Sequence, residues 1–269
     1  MSFEMLILGL HRVGTPPPTA KIRGLFISPQ LLEFQLSLLQ EMNFRFLTLS
    51  EAMREQKGKI AVLTFDDGYE DTLINGLPVL RKFKAPATIF VITNDVGKRN
   101  VIWEEAGEDL PADLLSWSSL EILHREGWEI GSHCDRHIHL SRYTVAEQKA
   151  TIRKSIQEIK ERLGFAPTSF AYPYGESSEM IKSILLQSGI KYAVTTEQTL
   201  PSDLKNRTDF LALPRVSLGG RKPHHYVKNL LRISKATGAS AVLPALLKSS
   251  ITGLQLNHRK SYLPKYEKF

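Results

Sequence analysis

The chain has 269 residues, 42% of them hydrophobic and 23% charged, an ordinary globular balance and enough length for one barrel-sized domain. Its single cysteine excludes an internal disulfide, and no apolar run reaches membrane-spanning length. The formal charge of +7 is carried at the end: from Arg221 to Phe269 ten Lys/Arg face one acid, Glu267, which leaves residues 1–220 at −2.

In chain order, Met5–Leu10 reads as a strand ending at His11. The segment has no basic n-region and is too short for a signal h-region, which gives the expectation of a cytoplasmic protein. Thr15–Thr19, with three prolines, is a loop. Ser28-Pro29 is an N-cap with proline at the first helical position, and Leu31, Leu32, Phe34, Leu38 and Leu39 give the helix an apolar face. Phe44–Leu49 is a short strand, after which Ser50 caps a helix to Gln56. Ile60–Phe65 is a strand and Thr72–Phe83 a helix kinked by Pro78. Ala87–Thr93 is a strand, and Asn94–Leu115 a long polar connection suited to a lid or binding loop. A helix over Ser118–Arg125 precedes a strand at Trp128–Gly131. Val145–Leu163 is a strong helix with Ile152, Ile156, Ile159 and Leu163 on one face. Then come a strand at Ser169–Tyr172, a helix at Met180–Ser188, and strands at Tyr192–Thr195 and Leu211–Ser217. Strand–helix alternation over this length predicts a mainly parallel sheet. No Gly-rich phosphate loop follows a strand, which argues against a nucleotide-binding open sheet and for a barrel. The division expected is a barrel domain over 1–220 and a basic extension over 221–269, helical and either packed on the barrel or facing a membrane.

Three strings stand where a strand ends, at the rim where α/β folds keep their sites. The first is Asp66-Asp67-Gly68. Two adjacent carboxylates open a helix as cap and dipole partner, or divide the work of a site: a metal holds Asp67 ionised and leaves Asp66 to accept a proton. The second is His133-Cys134-Asp135-Arg136-His137-Ile138-His139. A spacing of four puts the rings of His133 and His137 on one side of a helical turn, where two nitrogens meet one ion. His139 then faces away, and Cys134 reads as packing. The third, Phe170-Ala171-Tyr172-Pro173-Tyr174-Gly175, is a rigid turn that aims a backbone N–H and an aromatic wall at a substrate, or is simply a proline turn.

Thr64-Phe65-Asp66-Asp67-Gly68-Tyr69, Glu129-Ile130-Gly131-Ser132-His133 with His137 and Leu140, and Phe170–Gly175 resemble the first three motifs of the polysaccharide deacetylases, the NodB-homology domain of carbohydrate esterase family 4. The likeness covers roughly residues 5–220. Leu8–Val13 also resembles the start of the branch that includes the poly-N-acetylglucosamine deacetylases. The resemblance implies a distorted (β/α)7, TIM-like barrel and one divalent metal, zinc first, with Co, Ni or Mn as alternatives. It implies metal ligands at Asp67, His133 and His137, a base at Asp66, an oxyanion contact from the Tyr174 N–H, and Tyr69, Tyr172 and Pro173 at the sugar. The reaction implied is hydrolysis of an N-acetyl group on an amino sugar.

Ala171 stands where the family often has an arginine beside the base, and Arg215 is the candidate to supply that charge from the last strand. The Asp-then-Trp and late-His motifs have no counterpart, so the general acid falls to His11, ahead of His224 and His225, unless His11 is a plain rim histidine. The expected partner is an amino-sugar glycan, or its lipid- or nucleotide-linked precursor, with no nucleic acid. The basic tail is a solvated extension or contacts an anionic membrane at its inner face. The competing functions are a catalytically silent carbohydrate- or partner-binding relic of the fold, and a deformylase or amidase on a non-polymeric substrate.

Overall fold

A computed structural model describes residues 3–100, 111–197 and 208–217. Its first half forms β1 (Glu4–Leu10), β2 (Arg12–Val13), β3 (Phe26–Ile27), α1 (Pro29–Glu41), β4 (Arg45–Phe46), α2 (Leu49–Glu55), β5 (Lys59–Phe65), α3 (Leu77–Lys82) and β6 (Thr88–Val91). Next come β7 (Arg99–Asn100), β8 (Ala112–Asp113), α4 (Trp117–Arg125), β9 (Glu129–Ser132), α5 (Val145–Leu163), β10 (Ser169–Ala171), α6 (Glu179–Gln187), β11 (Tyr192–Val194) and β12 (Val216–Ser217).

The main sheet is parallel, in the order β11-β10-β9-β6-β5-β1-β12. Strand β5 is shared on one edge: β4 pairs with its start, Arg45 opposite Ile60, and β6 with its end, Thr64 opposite Thr88. The sheet then curls back on itself. Leu213 bridges to Val194 on one side, and Val216 lies opposite Leu8 on the other. Residues 213–217 therefore join the two edges, and the result is the distorted (β/α) barrel the sequence predicts.

Alternation along the strands sorts the core. Met5, Ile7, Ile60 and Val62 point inward with Phe90, Ala171, Val194 and Leu213, over a floor of Leu49, Ala52 and Met53 from α2. Leu6, Leu8, Leu10, Ala61, Leu63 and Phe65 point outward under Leu32, Leu36, Leu80 and Leu120 of the surrounding helices. Each of the Leu, Ile, Val, Met and Phe side chains among them stabilises the fold by roughly 1.5–3 kcal/mol on full burial. A Cβ at Gly131 would stand 2.5 Å from the Phe90 ring and 2.7 Å from Ser169 Oγ, so β9 passes the barrel centre only as glycine.

Several elements differ from expectation for local reasons. Helix α2 is capped by Thr48, not Ser50, because Thr48 and Glu51 form a reciprocal capping box. Ser50 lies in the first turn and donates from both N–H and Oγ to Glu129. Around Pro78, which has no N–H, the helix opens as a wider turn over Thr72–Gly76, where Leu77 N–H reaches back five residues to Thr72 O. The 94–115 connection is partly built, with β7 and β8 antiparallel; residues 101–110 lie outside the described residues. The last strand is shorter than Leu211–Ser217, since Pro214 cannot donate to a ladder. The extension over 221–269, with His224 and His225, also lies outside the described residues. No described helix is long and apolar enough to cross a membrane.

Candidate active site

Inward alternation through Ile60, Val62 and Thr64 brings Asp66 into the barrel mouth, where its N–H still donates to Leu10 O at 3.0 Å. Asp67 then leaves the ladder in a left-handed conformation, φ +72°, followed by Gly68 at φ +79°. This break in alternation lets two neighbouring carboxylates face one cleft, and aspartate tolerates that backbone better than most residues. The cleft holds about 170 Å³ and is lined by His11, Asp66, Asp67, His133, His137 and Tyr174, with Ile22 and Leu25 on the opposite lip.

Arg215 reaches Asp66 from the closing segment. Its Nη1 and Nη2 donate to Asp66 Oδ1 and Oδ2, each at 2.7 Å, and Nε donates to Thr195 O at 2.9 Å. Nη1 also donates to Thr64 Oγ1, whose own proton goes to Leu8 O. Both members of the pair are buried. Burial alone would raise the Asp66 carboxyl, but the charge and paired hydrogen bonds of Arg215, with His11 and His133, hold it well below the usual carboxylate range. The sequence-based expectation that Arg215 stands in for an arginine at Ala171 therefore fits the geometry. Ala171 itself packs in the barrel interior.

Asp67 has different neighbours. His133 Nε2 lies 3.4 Å and His137 Nε2 3.7 Å from its Oδ1, a buried atom without a hydrogen-bond partner among the described residues. One ligand atom from each of the three residues lies within 4.8 Å of the others. Two imidazoles and a carboxylate converging on one point, with an unsatisfied oxygen between them, fit a zinc-like divalent cation. His133 Nδ1 lies 2.7 Å from Ala171 O. A carbonyl oxygen can only accept, so the proton sits on Nδ1 and Nε2 is the nitrogen offered to the site. Burial pushes His137 down to about 4, which favours the neutral ligand form. Burial also works to lower His133, but the close approach of Asp67 and the charges of both carboxylates prevail and raise it. Asp67, which burial would raise, is lowered by His133, His137 and His11.

His133 and His137 do not share a helical turn, contrary to the spacing argument. Residues 133–139 form a loop, with Cys134 buried at φ +65°. Thr93 N–H donates to Cys134 O, Asn94 N–H to Asp135 O, and Asp135 N–H to Thr151 O. The Asp135 carboxylate meets Thr151 Oγ1 and Lys154. The rings converge because this loop is pinned from below.

His11 stands at the end of β1, its Nε2 3.9 Å from Asp66 Oδ2. Tyr174 lines the cleft at φ +57°, ψ +6°, in the turn Pro173–Gly175. A left-handed tyrosine costs roughly 1–2 kcal/mol and needs firm surroundings. Tyr69 lines the wall above Gly68. Tyr172 also lines the cleft, but it is only 1% exposed and donates its hydroxyl to Leu211 O at 2.7 Å. Pro173 is buried beneath the turn and does not line the cleft. Two residues at this rim escaped the sequence reading: Thr196, which also lines the cleft, and Glu176, whose signal lies only in tertiary contact; His139, read as facing away, stacks on Tyr174 and meets Glu176.

Residues 53–193 match the family model described as polysaccharide deacetylase. The chain belongs to the polysaccharide deacetylase family. Among curated relatives of this family, the poly-beta-1,6-N-acetyl-D-glucosamine N-deacetylase of Staphylococcus aureus strain MRSA252 is 28% identical over 222 residues, 77% of this chain and 73% of the relative. The enzyme of the same name from Staphylococcus epidermidis is 28% identical over 217 residues, 72% of each chain. Among solved structures, IcaB from Ammonifex degensii superposes with a TM-score of 0.70 at 24% identity, over 86% of this chain and 97% of the other. The Streptococcus pyogenes deacetylase PplD, solved with acetate, gives 0.69 at 21% identity, over 85% and 98%. At such identities the structural likeness speaks to the deacetylase fold.

Proposed function

We propose that this polysaccharide deacetylase hydrolyses N-acetyl groups on an amino-sugar polymer of the poly-N-acetylglucosamine class, with Asp66 as base and Asp67, His133 and His137 as ligands to one divalent cation. The observation that carries this reading is the unlike surroundings of two adjacent carboxylates in one cleft: Asp66 faces a guanidinium, and Asp67 faces two imidazoles. Family membership supports the reaction class, and the activity for which the staphylococcal relatives are named supports the polymer.

A zinc-like cation held by Asp67, His133 and His137 would polarise the amide carbonyl. Asp66, kept ionised by Arg215, takes a proton from the attacking water as the C–O bond forms. Arg215 fixes both Asp66 oxygens, so the carboxylate cannot swing away from the nucleophile. The Tyr174 N–H is assigned to the developing oxyanion. As the C–N bond breaks, the nitrogen needs a proton, and His11, beside Asp66 Oδ2, is the imidazole placed to deliver it. The products are acetate and a free amine on the sugar.

Two measurements test the assignment together. Protein purified without chelators should hold about one equivalent of divalent metal, and His133→Ala should lose it. Acetate release from N-acetylglucosamine oligomers should vanish in Asp66→Asn while the metal stays. Trace metal unchanged by His133→Ala would sink the metal site, and full activity in Asp66→Asn would remove Asp66 from its role.

A further inference from the structure

The Tyr174 turn is held in a backbone conformation that an L-residue with a side chain seldom adopts, and the next residue, Gly175, is also left-handed at φ +76°. A Cβ at Gly175 would fall 2.0 Å from Thr196 Oγ1, so the turn is pressed against the rim from behind. Such a conformation persists only when its surroundings over-determine it. On the other side, the Tyr174 ring lies flat on His139, centroids 3.7 Å apart and planes within 7°, and meets the His137 ring edge-on at 4.4 Å. His139 Nδ1 is 2.7 Å from Glu176 Oε1, and Ser141 Oγ donates to Glu176 Oε2 at 2.7 Å. Glu176 is the residue that ends the Tyr174 turn. The loop after β9, which carries His137, and the turn after β10, which carries Tyr174, are thus fastened to each other by one carboxylate and one aromatic stack.

We propose that Glu176 and His139 are positioning residues: they lock the Tyr174 turn against the loop that bears His137, and so fix where the Tyr174 N–H stands relative to the reacting carbonyl. The inference rests on the assignment of Tyr174 to the oxyanion made above. His139 is not grouped with Asp67, His133 and His137, whose ligand atoms lie within 4.8 Å of one another; its Nδ1 meets Glu176 and its ring face Tyr174. The pair acts through Tyr174. Oxyanion donors count only when held within a fraction of an ångström of their target, so a loosened turn loses transition-state stabilisation while substrate binding by the rest of the cleft is kept.

The test compares Glu176→Ala with Glu176→Gln, whose amide oxygen still accepts from His139. In Glu176→Ala, hydrogen exchange across residues 172–177 should accelerate by about tenfold or more, and kcat for acetate release should fall by about tenfold, with KM changed less than about twofold. Divalent-metal affinity, read by competition with a chromogenic chelator, should match the wild type. Glu176→Gln should restore both exchange protection and kcat, and His139→Phe, which keeps a flat ring on Tyr174, should fall between. Unchanged exchange and kcat in Glu176→Ala would overturn the proposal. So would a fall in kcat that tracks a fall in metal affinity, since the pair would then act on His137. If the metal-loaded wild type releases no acetate while Glu176→Ala still accelerates exchange, the functional assignment fails and the positioning role stands.

Discussion

The two ends of the barrel each hold acidic side chains beside a cleft, and the larger cleft, about 240 Å³, is at the bottom. There Glu129 accepts from Ser50 N–H, Ser50 Oγ and Thr88 Oγ1, while Ser50 Oγ also lies 3.0 Å from Thr168 Oγ1. Its carboxylate is saturated by neutral donors and clamps α2 to β6 and β9. At the top, Asp67 Oδ1 is buried without a hydrogen bond among the described residues, and Asp66 is paired with a full guanidinium. Cleft volume does not tell the ends apart; the state of their carboxylates does. A satisfied, half-buried carboxylate such as Glu129 strengthens a fold, whereas a buried one left short of partners costs stability and persists where a ligand or reaction uses it.

This contrast can be broken in several ways. Arg215→Met should show the largest effect, since it strands Asp66: about 3–5 kcal/mol of stability lost in chemical denaturation and acetate release reduced by about 10²-fold or more. Glu129→Ala should cost about 1–3 kcal/mol through orphaned Ser50 and Thr88 groups and leave kcat close to wild type. A drop in kcat as deep as that of Arg215→Met would erase the distinction between the ends. Acid should act on the top first. The Asp66 carboxyl is held below its ordinary value, so its contribution is present above the usual carboxylate range and is lost as pH falls below 3.8, where the unfolded chain binds the proton and the native one does not. Stability measured against pH should fall less steeply there in Asp66→Asn. Thr48→Ala, at the bottom, should cost only about 1 kcal/mol and leave acetate release untouched.

Much of the frame was legible because it rests on local rules. Ser28 with Pro29 announces α1, and the apolar runs at 5–10 and 60–65 announce the paired central strands. The Thr48–Glu51 capping box is written in the sequence, but Ser50 suits a cap as well as Thr48 does, and only the glutamate three positions on separates them. The metal-type cluster was found by residue type and spacing, yet its geometry was misjudged: helical spacing suggested a shared turn, and the rings meet through a loop fixed by Cys134 at φ +65°. Tyr172 is expected at the sugar with the aromatic turn that carries it; it borders the cleft, yet its ring packs edge-on to Phe170 and its hydroxyl is spent on Leu211 O, contacts that no local pattern announces. His139 and Glu176 lie 37 positions apart and meet only after the loops following β9 and β10 have docked, so no local pattern marks them.

Arg215 lies 149 positions after Asp66 and belongs to the segment that joins the two edges of the sheet. Asp66 is therefore paired by the same segment that closes the ring. During synthesis, a chain stopped short of residue 215 carries its three prospective ligands and both carboxylates, but lacks the guanidinium that makes burial of Asp66 tolerable. The contact that pairs Asp66 and the one that closes the sheet are carried by one short segment, and both span a sequence separation whose loop-closure cost must be met before the contact rewards it.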